Sequence, residues 1–150
     1  MNAGMKDDEI FNNLIKIKFA NGYIPKEQIK YGYRFTNIQD IIYEATFKIH
    51  YGYDQEKAEQ FKLMRKNQPK LPSAGSVFKN PKGDFAGRLI QEVGLKGYRL
   101  GDLSFSKIHA NFLVNHGKGA FEDAITLIKL AQKKVYEKFN ITLEKEIIIL

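Results

Sequence analysis

A chain of 150 residues that is 43% hydrophobic and 27% charged has the composition of one folded domain or two small lobes, not of a disordered tail. The absence of cysteine removes disulfides, thiolate nucleophiles, iron–sulfur clusters and thiolate zinc sites, so any chemistry must use oxygen, nitrogen or a cofactor. The net charge of +7 favours anionic partners, but lysines spread along the chain carry most of it, the pattern of a solvated basic surface.

In chain order, the early acidic residues Asp7, Asp8 and Glu9 do not fit the basic-then-apolar order of a signal peptide, and no apolar run approaches the ~20 residues that cross a bilayer. A cytoplasmic protein is expected. Leu14 to Phe19 alternates apolar residues with Lys16 and Lys18, the period of a strand with one wet face, and Asn21-Gly22 supplies a tight turn for a hairpin. Ile41 to Ile49 has the β-branched and aromatic content of a second strand, with Glu44, Thr46 and Lys48 on one face, and should share a sheet with the first. Asp54 is placed to cap a helix through about Asn67, in which Ala58, Phe61 and Met64 recur at helical spacing before Pro69 stops it.

Two prolines between Gln68 and Ser73 mark the expected boundary between lobes. Beyond it, Asp84 is positioned to cap a short helix with an apolar stripe of Phe85, Leu89, Ile90 and Val93, ending at Gly94. Phe112 to Val114 reads as a buried strand. Phe121 to Phe139 reads as a long amphipathic helix with Phe121, Ala124, Ile125, Ile128, Ala131 and Val135 inward. Ile141 to Leu150 reads as a last strand, its apolar tail buried on both faces and returning to the first lobe's sheet. The fold class is therefore α+β, since strands and helices interleave without the regular alternation of a parallel sheet.

The chemistry concentrates in Pro72-Ser73-Ala74-Gly75-Ser76-Val77-Phe78-Lys79-Asn80-Pro81, where a hydroxyl, an amine and an amide follow a glycine-bearing turn. Ser76 has no Gly-x-Ser-x-Gly context and no histidine in triad order, which argues against hydrolysis. Lys79 offers positive charge, and Asn80 an amide suited to sugar or phosphate oxygens. Lys96 and Arg99, beside Gly94 and Gly97, could face a diphosphate. The spacings of His50, His109 and His116 suggest no metal site, and neither a dinucleotide fingerprint nor a P-loop occurs.

Together with Ala86-Gly87-Arg88-Leu89-Ile90, Gly94-Leu95-Lys96-Gly97, His109-Ala110-Asn111-Phe112 and Gly32-Tyr33-Arg34, this stretch resembles the C-terminal part of the UDP-N-acetylenolpyruvoylglucosamine reductases, flavoenzymes of peptidoglycan and cell-wall synthesis. The resemblance implies a remnant of the second lobe of a FAD-binding domain over 1–69, a substrate-binding lobe over 70–139 and the C-terminal strand over 140–150. It implies FAD as cofactor, NADPH as electron donor and UDP-N-acetylglucosamine enolpyruvate as substrate, with no nucleic-acid, membrane or metal partner. It casts Ser76 as the acid that protonates a carbanion, Arg34 as the clamp on the enolpyruvyl carboxylate, and Glu146 as a second acid. The chain keeps that glutamate in Lys145-Glu146-Ile147-Ile148 but not the proline and arginine that flank it in the family.

Tyr33, Lys79, Asn80, Lys96 and Asn111 become substrate-binding residues, and Asn2, Ala3 and Gly4 match a flavin-contacting Asn-Ala-Gly stretch. Because the family's glycine-rich flavin loops lie upstream of that stretch, the expectation is an inactive fragment that pairs with a complementary N-terminal half. Two other readings stay open: a UDP-sugar-binding module without catalysis, and a basic nucleic-acid-binding protein.

Overall fold

The computed structural model describes residues 3–5 and 8–149 and divides into two units, Met1–Asp54 and Gln55–Leu150. Both mix helix and strand, so the architecture is α+β. The division falls earlier than the proline-rich boundary, and the helix that follows Asp54 goes with the second unit.

The first unit opens with a small hairpin, β1 (Gly4–Met5) and β2 (Asp8–Glu9), and one turn of helix, α1 (Ile10–Asn13). Strands β3 (Leu14–Phe19) and β4 (Gly22–Pro25) then form the expected hairpin, with Gly22 at φ 121 where a side chain would be strained. A 3-10 turn (Lys26–Gln28) leads to a second hairpin, β5 (Tyr31–Gly32) and β6 (Phe35–Thr36), and β7 (Glu44–Phe47) completes a three-stranded sheet in the order β4-β3-β7. A bulge between Leu14 and Lys16 shifts the β3–β7 register, so Leu14 and Ile17, three residues apart, are both buried, and simple alternation fails. With Phe11 and Ile29 they make the unit's small core.

The strand expected over Ile41 to Ile49 shrinks to β7. Its partner β3 ends at Phe19 before the turn, so residues before Tyr43, whose N–H donates to the Lys18 carbonyl, have no ladder to join. Ile41 and Ile49 stand exposed.

The second unit begins with α2 (Gln55–Met64), none of whose side chains is buried, Ala58, Phe61 and Met64 included. Strands β8 (Ser73–Ser76), β9 (Arg99–Leu100), β10 (Leu103–Phe105) and β11 (Phe112–Asn115) form an antiparallel sheet in the order β8-β11-β10-β9. Helices α3 (Ala86–Glu92) and α4 (Phe121–Phe139) pack on it, uniting Phe78, Leu89, Ile90, Phe105, Leu127, Ala131 and Val135 in the main core. The bounds of α4 agree with the periodicity, and its inner face holds Ile128, Ala131 and Val135 as expected. Phe121 is largely exposed instead, since it opens the helix, and Leu127 takes a fully buried place.

The start and stop of α3 divide the sequence expectations. Asp84 does not cap it: its carboxylate accepts from Phe85 N–H at 2.7 Å and from Arg88 Nε at 2.7 Å, while Asn80 Oδ1 accepts the N–H of Ala86 at 3.1 Å. The Arg88 guanidinium, then the Phe85 amide, hold the Asp84 carboxyl down to about 2. Phe85 consequently sits outside the helix and is 68% exposed. The stop behaves as predicted: Gly94 adopts φ 75, its N–H donates to Gln91 O, and Leu95 N–H reaches back to Ile90 O. That pair of bonds satisfies the last carbonyls of α3 and buries Leu95 beside Ile90.

The C-terminal segment departs most from expectation. Among the described residues it forms no extended strand, only an isolated bridge between Lys145 and Phe78 inside the second unit. Ile148 is 81% exposed, so the apolar tail is not buried on both faces; Leu150 lies outside the described residues.

Nothing within 4 Å would meet a Cβ at Gly94, so Gly94→Ala tests backbone strain alone. It should destabilise the second unit by roughly 1–2 kcal/mol in urea titration, with an unchanged m-value.

Candidate functional site

Ser76 does not sit on a turn but ends β8, an edge strand of the four-stranded sheet. Its register with β11 pairs Phe112 with Ser76 and Val114 with Ser73, which leaves an extra residue on β8. Gly75, at φ 84, takes up this bulge in a backbone region that side chains avoid. The bulge re-aims the strand end, and Ser76 is half-buried there.

Beyond the bulge the chain is gripped from both sides. On one side Asn111, only 3% exposed, uses its amide as a short strand: Oδ1 accepts the Phe78 N–H at 3.0 Å and Nδ2 donates to the Phe78 carbonyl at 2.7 Å. The Asn111 carbonyl also accepts Val77 N–H at 2.8 Å. On the other side Lys79 N–H donates to Glu144 O at 2.9 Å and Glu146 N–H to Val77 O at 2.8 Å. Glu146, half-buried, is thereby held against the residue that follows Ser76. Of the three expected catalytic residues, Glu146 is thus tied through its backbone to Val77, the residue next to Ser76.

Arg34 belongs to the first unit. With Tyr33 it forms the two-residue loop between β5 and β6, and its φ of 54 lies in the left-handed region usually left to glycine or asparagine. Its Nη1 donates to the Gly4 carbonyl at 2.9 Å, and its guanidinium lies 5.4 Å from the centre of the Tyr33 ring. That conformation costs an arginine roughly 1–2 kcal/mol.

The remaining expected residues are committed within the protein. Asn80 and Asn111, read as ligand amides, serve the backbone of Ala86 and Phe78. Lys79 pairs with Glu144, and Lys96 Nζ donates to Gln91 Oε1 at 2.9 Å. Arg99 pairs with Asp102 at 2.8 Å. Tyr33 is half exposed. Of the Asn-Ala-Gly stretch, Asn2 lies outside the described residues; Gly4 has its Cα packed so closely on β2 that a Cβ would meet the Asp8 carbonyl at 2.3 Å.

His109 sits half-buried and bonded within the protein, a satisfied histidine rather than a ligand. Its Nδ1 accepts the N–H of Asn111 at 3.2 Å, and the ring packs edge-on against Phe112 at 5.0 Å between centres. A Cβ on Gly87 would meet its Cε1 at 3.0 Å, so the glycine of Ala86-Gly87-Arg88 makes room for the imidazole. Burial, and then Lys96, push the imidazole below its ordinary value.

Asn111→Ala should cost roughly 2–4 kcal/mol in chemical denaturation, because it strands both polar groups of buried Phe78. The neutral His109 ring binds its proton less readily than in the unfolded chain. Its contribution is therefore complete above the ordinary histidine value of ~6.5 and is lost as pH falls through the lower folded value. An NMR titration of the ring should show a midpoint below ~6.5.

The family model of the UDP-N-acetylenolpyruvoylglucosamine reductase C-terminal domain matches residues 67–150. Over all 150 residues the chain is 52% identical to UDP-N-acetylenolpyruvoylglucosamine reductase of Campylobacter jejuni (strain RM1221) and 50% identical to that of Helicobacter hepaticus. It spans 58% and 57% of those two proteins. The crystal structure of UDP-N-acetylenolpyruvylglucosamine reductase from Thermus caldophilus superposes with a TM-score of 0.83 at 34% identity, covering 97% of this chain and 56% of that one. With the match over 67–150, more than half of its length, the chain belongs to the UDP-N-acetylenolpyruvoylglucosamine reductase family.

Proposed function

We propose that this chain carries the proton-donating and substrate-holding half of a reductase that converts the enolpyruvyl ether of UDP-N-acetylglucosamine enolpyruvate to UDP-N-acetylmuramate in peptidoglycan synthesis. The observation that carries the reading is the bulge at Gly75, which sets Ser76 at the end of an edge strand with Glu146 bonded alongside. The family membership supports it, while the chain spans 58% of its Campylobacter relative.

An alcohol is a weak acid, and Ser76 suits one task in particular. Reduction of an enolpyruvyl double bond leaves negative charge at C2 and on the adjoining carboxylate. A carbanion of that kind is basic enough to take a hydroxyl proton held in line with it. The Ser76 O–H bond breaks as the C2–H bond forms, and the alkoxide recovers its proton from solvent. Arg34 would meet the carboxylate with a planar fork of donors, an interaction that strengthens as charge accumulates in the enol form. Glu146 would act as the second acid beside that carboxylate.

The backbone commitments of Asn80 and Asn111 support a role in shaping the loop that bears Ser76. Lys79, Lys96 and Tyr33 remain the residues assigned to the substrate's sugar and phosphate groups; for the two lysines this requires exchange of their present partners, Glu144 and Gln91.

FAD, reduced by NADPH, is the hydride source assigned to the family's reaction. The described residues do not fit a flavin by themselves: Gly4 is filled by β2 and its carbonyl by Arg34. The purified 150-residue protein should therefore oxidise no NADPH.

The reading is tested in a chimera in which this chain replaces the corresponding part of the Campylobacter jejuni relative. The chimera should reduce the enolpyruvyl substrate, and Ser76→Ala should lower kcat by about 10²–10⁴-fold with little change in KM. A folded, flavin-loaded chimera in which Ser76→Ala keeps full activity would refute the assignment.

A further inference from the structure

The face of the second unit's sheet turned away from α4 holds a cavity of about 490 Å³ that the proposed reaction does not use. In β10, Leu103 and Phe105 enter the core under α4, so Ser104 between them faces the other way, as does its partner Val114 in β11. The floor of the cavity is polar. Ser104, 6% exposed, lies 2.8 Å from His116 Nε2, and buried Ser106 accepts the Ile108 N–H at 3.0 Å, a bond that leaves its hydroxyl proton free to donate.

Two cations stand at the rim, each with its stem fixed. Arg99 donates through Nε to the Gly101 carbonyl and through Nη2 to Asp102, both at 2.8 Å, and keeps three further N–H donors. Lys107 lies flat along Gly97: a Cβ there would come within 3.0 Å of Lys107 Cγ, and Gly97 has φ 76, so only glycine gives this lysine its path. The nearby carboxylate, Asp102, is occupied by Arg99 and by the Lys118 N–H at 3.0 Å. Donors thus outnumber free acceptors, which selects anionic oxygens. The walls are apolar, formed by Pro69, Leu71, Ile108 and Val114.

We propose that this cavity is a binding site for a ring-bearing phosphate monoester, its phosphate at Lys107, Arg99 and His116 and its ring against Pro69 and Leu71. The volume suits a body the size of a small aromatic ester, and of the residues that the sequence set facing a diphosphate the site uses Arg99 alone. Lys107 has no part in the reductase assignment, so a test made at Lys107 stands or falls apart from it.

Phenyl phosphate and inorganic phosphate, titrated into the whole chain and followed by amide NMR shifts, provide the test. Saturable shifts confined to Ser104, Ser106, Lys107 and His116, with tighter binding of phenyl phosphate, are expected. Lys107→Gln, a change at an exposed side chain, should weaken binding roughly tenfold, whereas Lys82→Gln, outside the cavity, should leave it unchanged. Leu71→Ala should reduce the preference for phenyl phosphate over inorganic phosphate. Shifts that are absent or spread over the surface lysines, or binding indifferent to Lys107→Gln, would overturn the proposal.

Discussion

The side-chain amide of Asn111 imitates a strand across a gap that the backbone of β11 cannot reach. Phe78 is fully buried, so its N–H and C=O must find partners away from water, and the bulge at Gly75 has already thrown the segment out of register with β11. One asparagine satisfies both groups at 3.0 and 2.7 Å. The bulge can then persist, Phe78 can enter the core between α3 and α4, and the opposite edge of residues 77–79 is left available to residues 144–146. The position of Ser76, the approach of Glu146 and the pairing of Lys79 with Glu144 all follow from that clamp. The neighbouring His109, seated over Gly87 and accepting the Asn111 N–H, extends the same support to the start of α3.

A division of labour results between residues that present chemistry and residues that hold them in place. Asn80 ties the strand's exit to the first amide of α3, and Asn111 ties it to β11. Neither needs to touch a ligand to be essential for geometry around Ser76. Arg34 is held differently, by a strained backbone and by the Gly4 carbonyl within the first unit. Gly4, the last residue of the Asn-Ala-Gly stretch, thus serves as an anchor for the arginine. The two kinds of restraint, a buried amide clamp and a left-handed arginine, are local devices: one holds the backbone that follows Ser76, and the other holds the Arg34 guanidinium.

Short-range order was legible in the residues themselves. The β3–β4 hairpin follows from the Asn21-Gly22 turn, α4 from the recurrence of Ile128, Ala131 and Val135, and the stop of α3 from Gly94. Each signal is complete within a few positions, so no distant partner can contradict it. Where a distant partner was needed, expectation and structure part. Ile41 to Tyr43 read as strand until β3 turns away at the Asn21-Gly22 loop, whereas Asp84 loses the cap to a local competitor, Arg88, four positions on. The tail read as a buried strand, yet its pairing reaches only a bridge at Lys145, and Ile148 emerges into solvent.

For the site, the sequence alone determined which side chains are present and in what local order: a glycine before Ser76, a glycine before Tyr33-Arg34, and a glutamate near the C-terminus. Such order carries the chemistry, since hydroxyl, guanidinium and carboxylate keep their character in any fold. Only the tertiary structure decided how they are used. Asn111 meets Phe78 across 33 positions and Lys79 meets Glu144 across 65, separations at which residue type says nothing about which polar groups will be buried together. Burial sets that assignment, because a polar group removed from water bonds whatever partner the fold brings within reach.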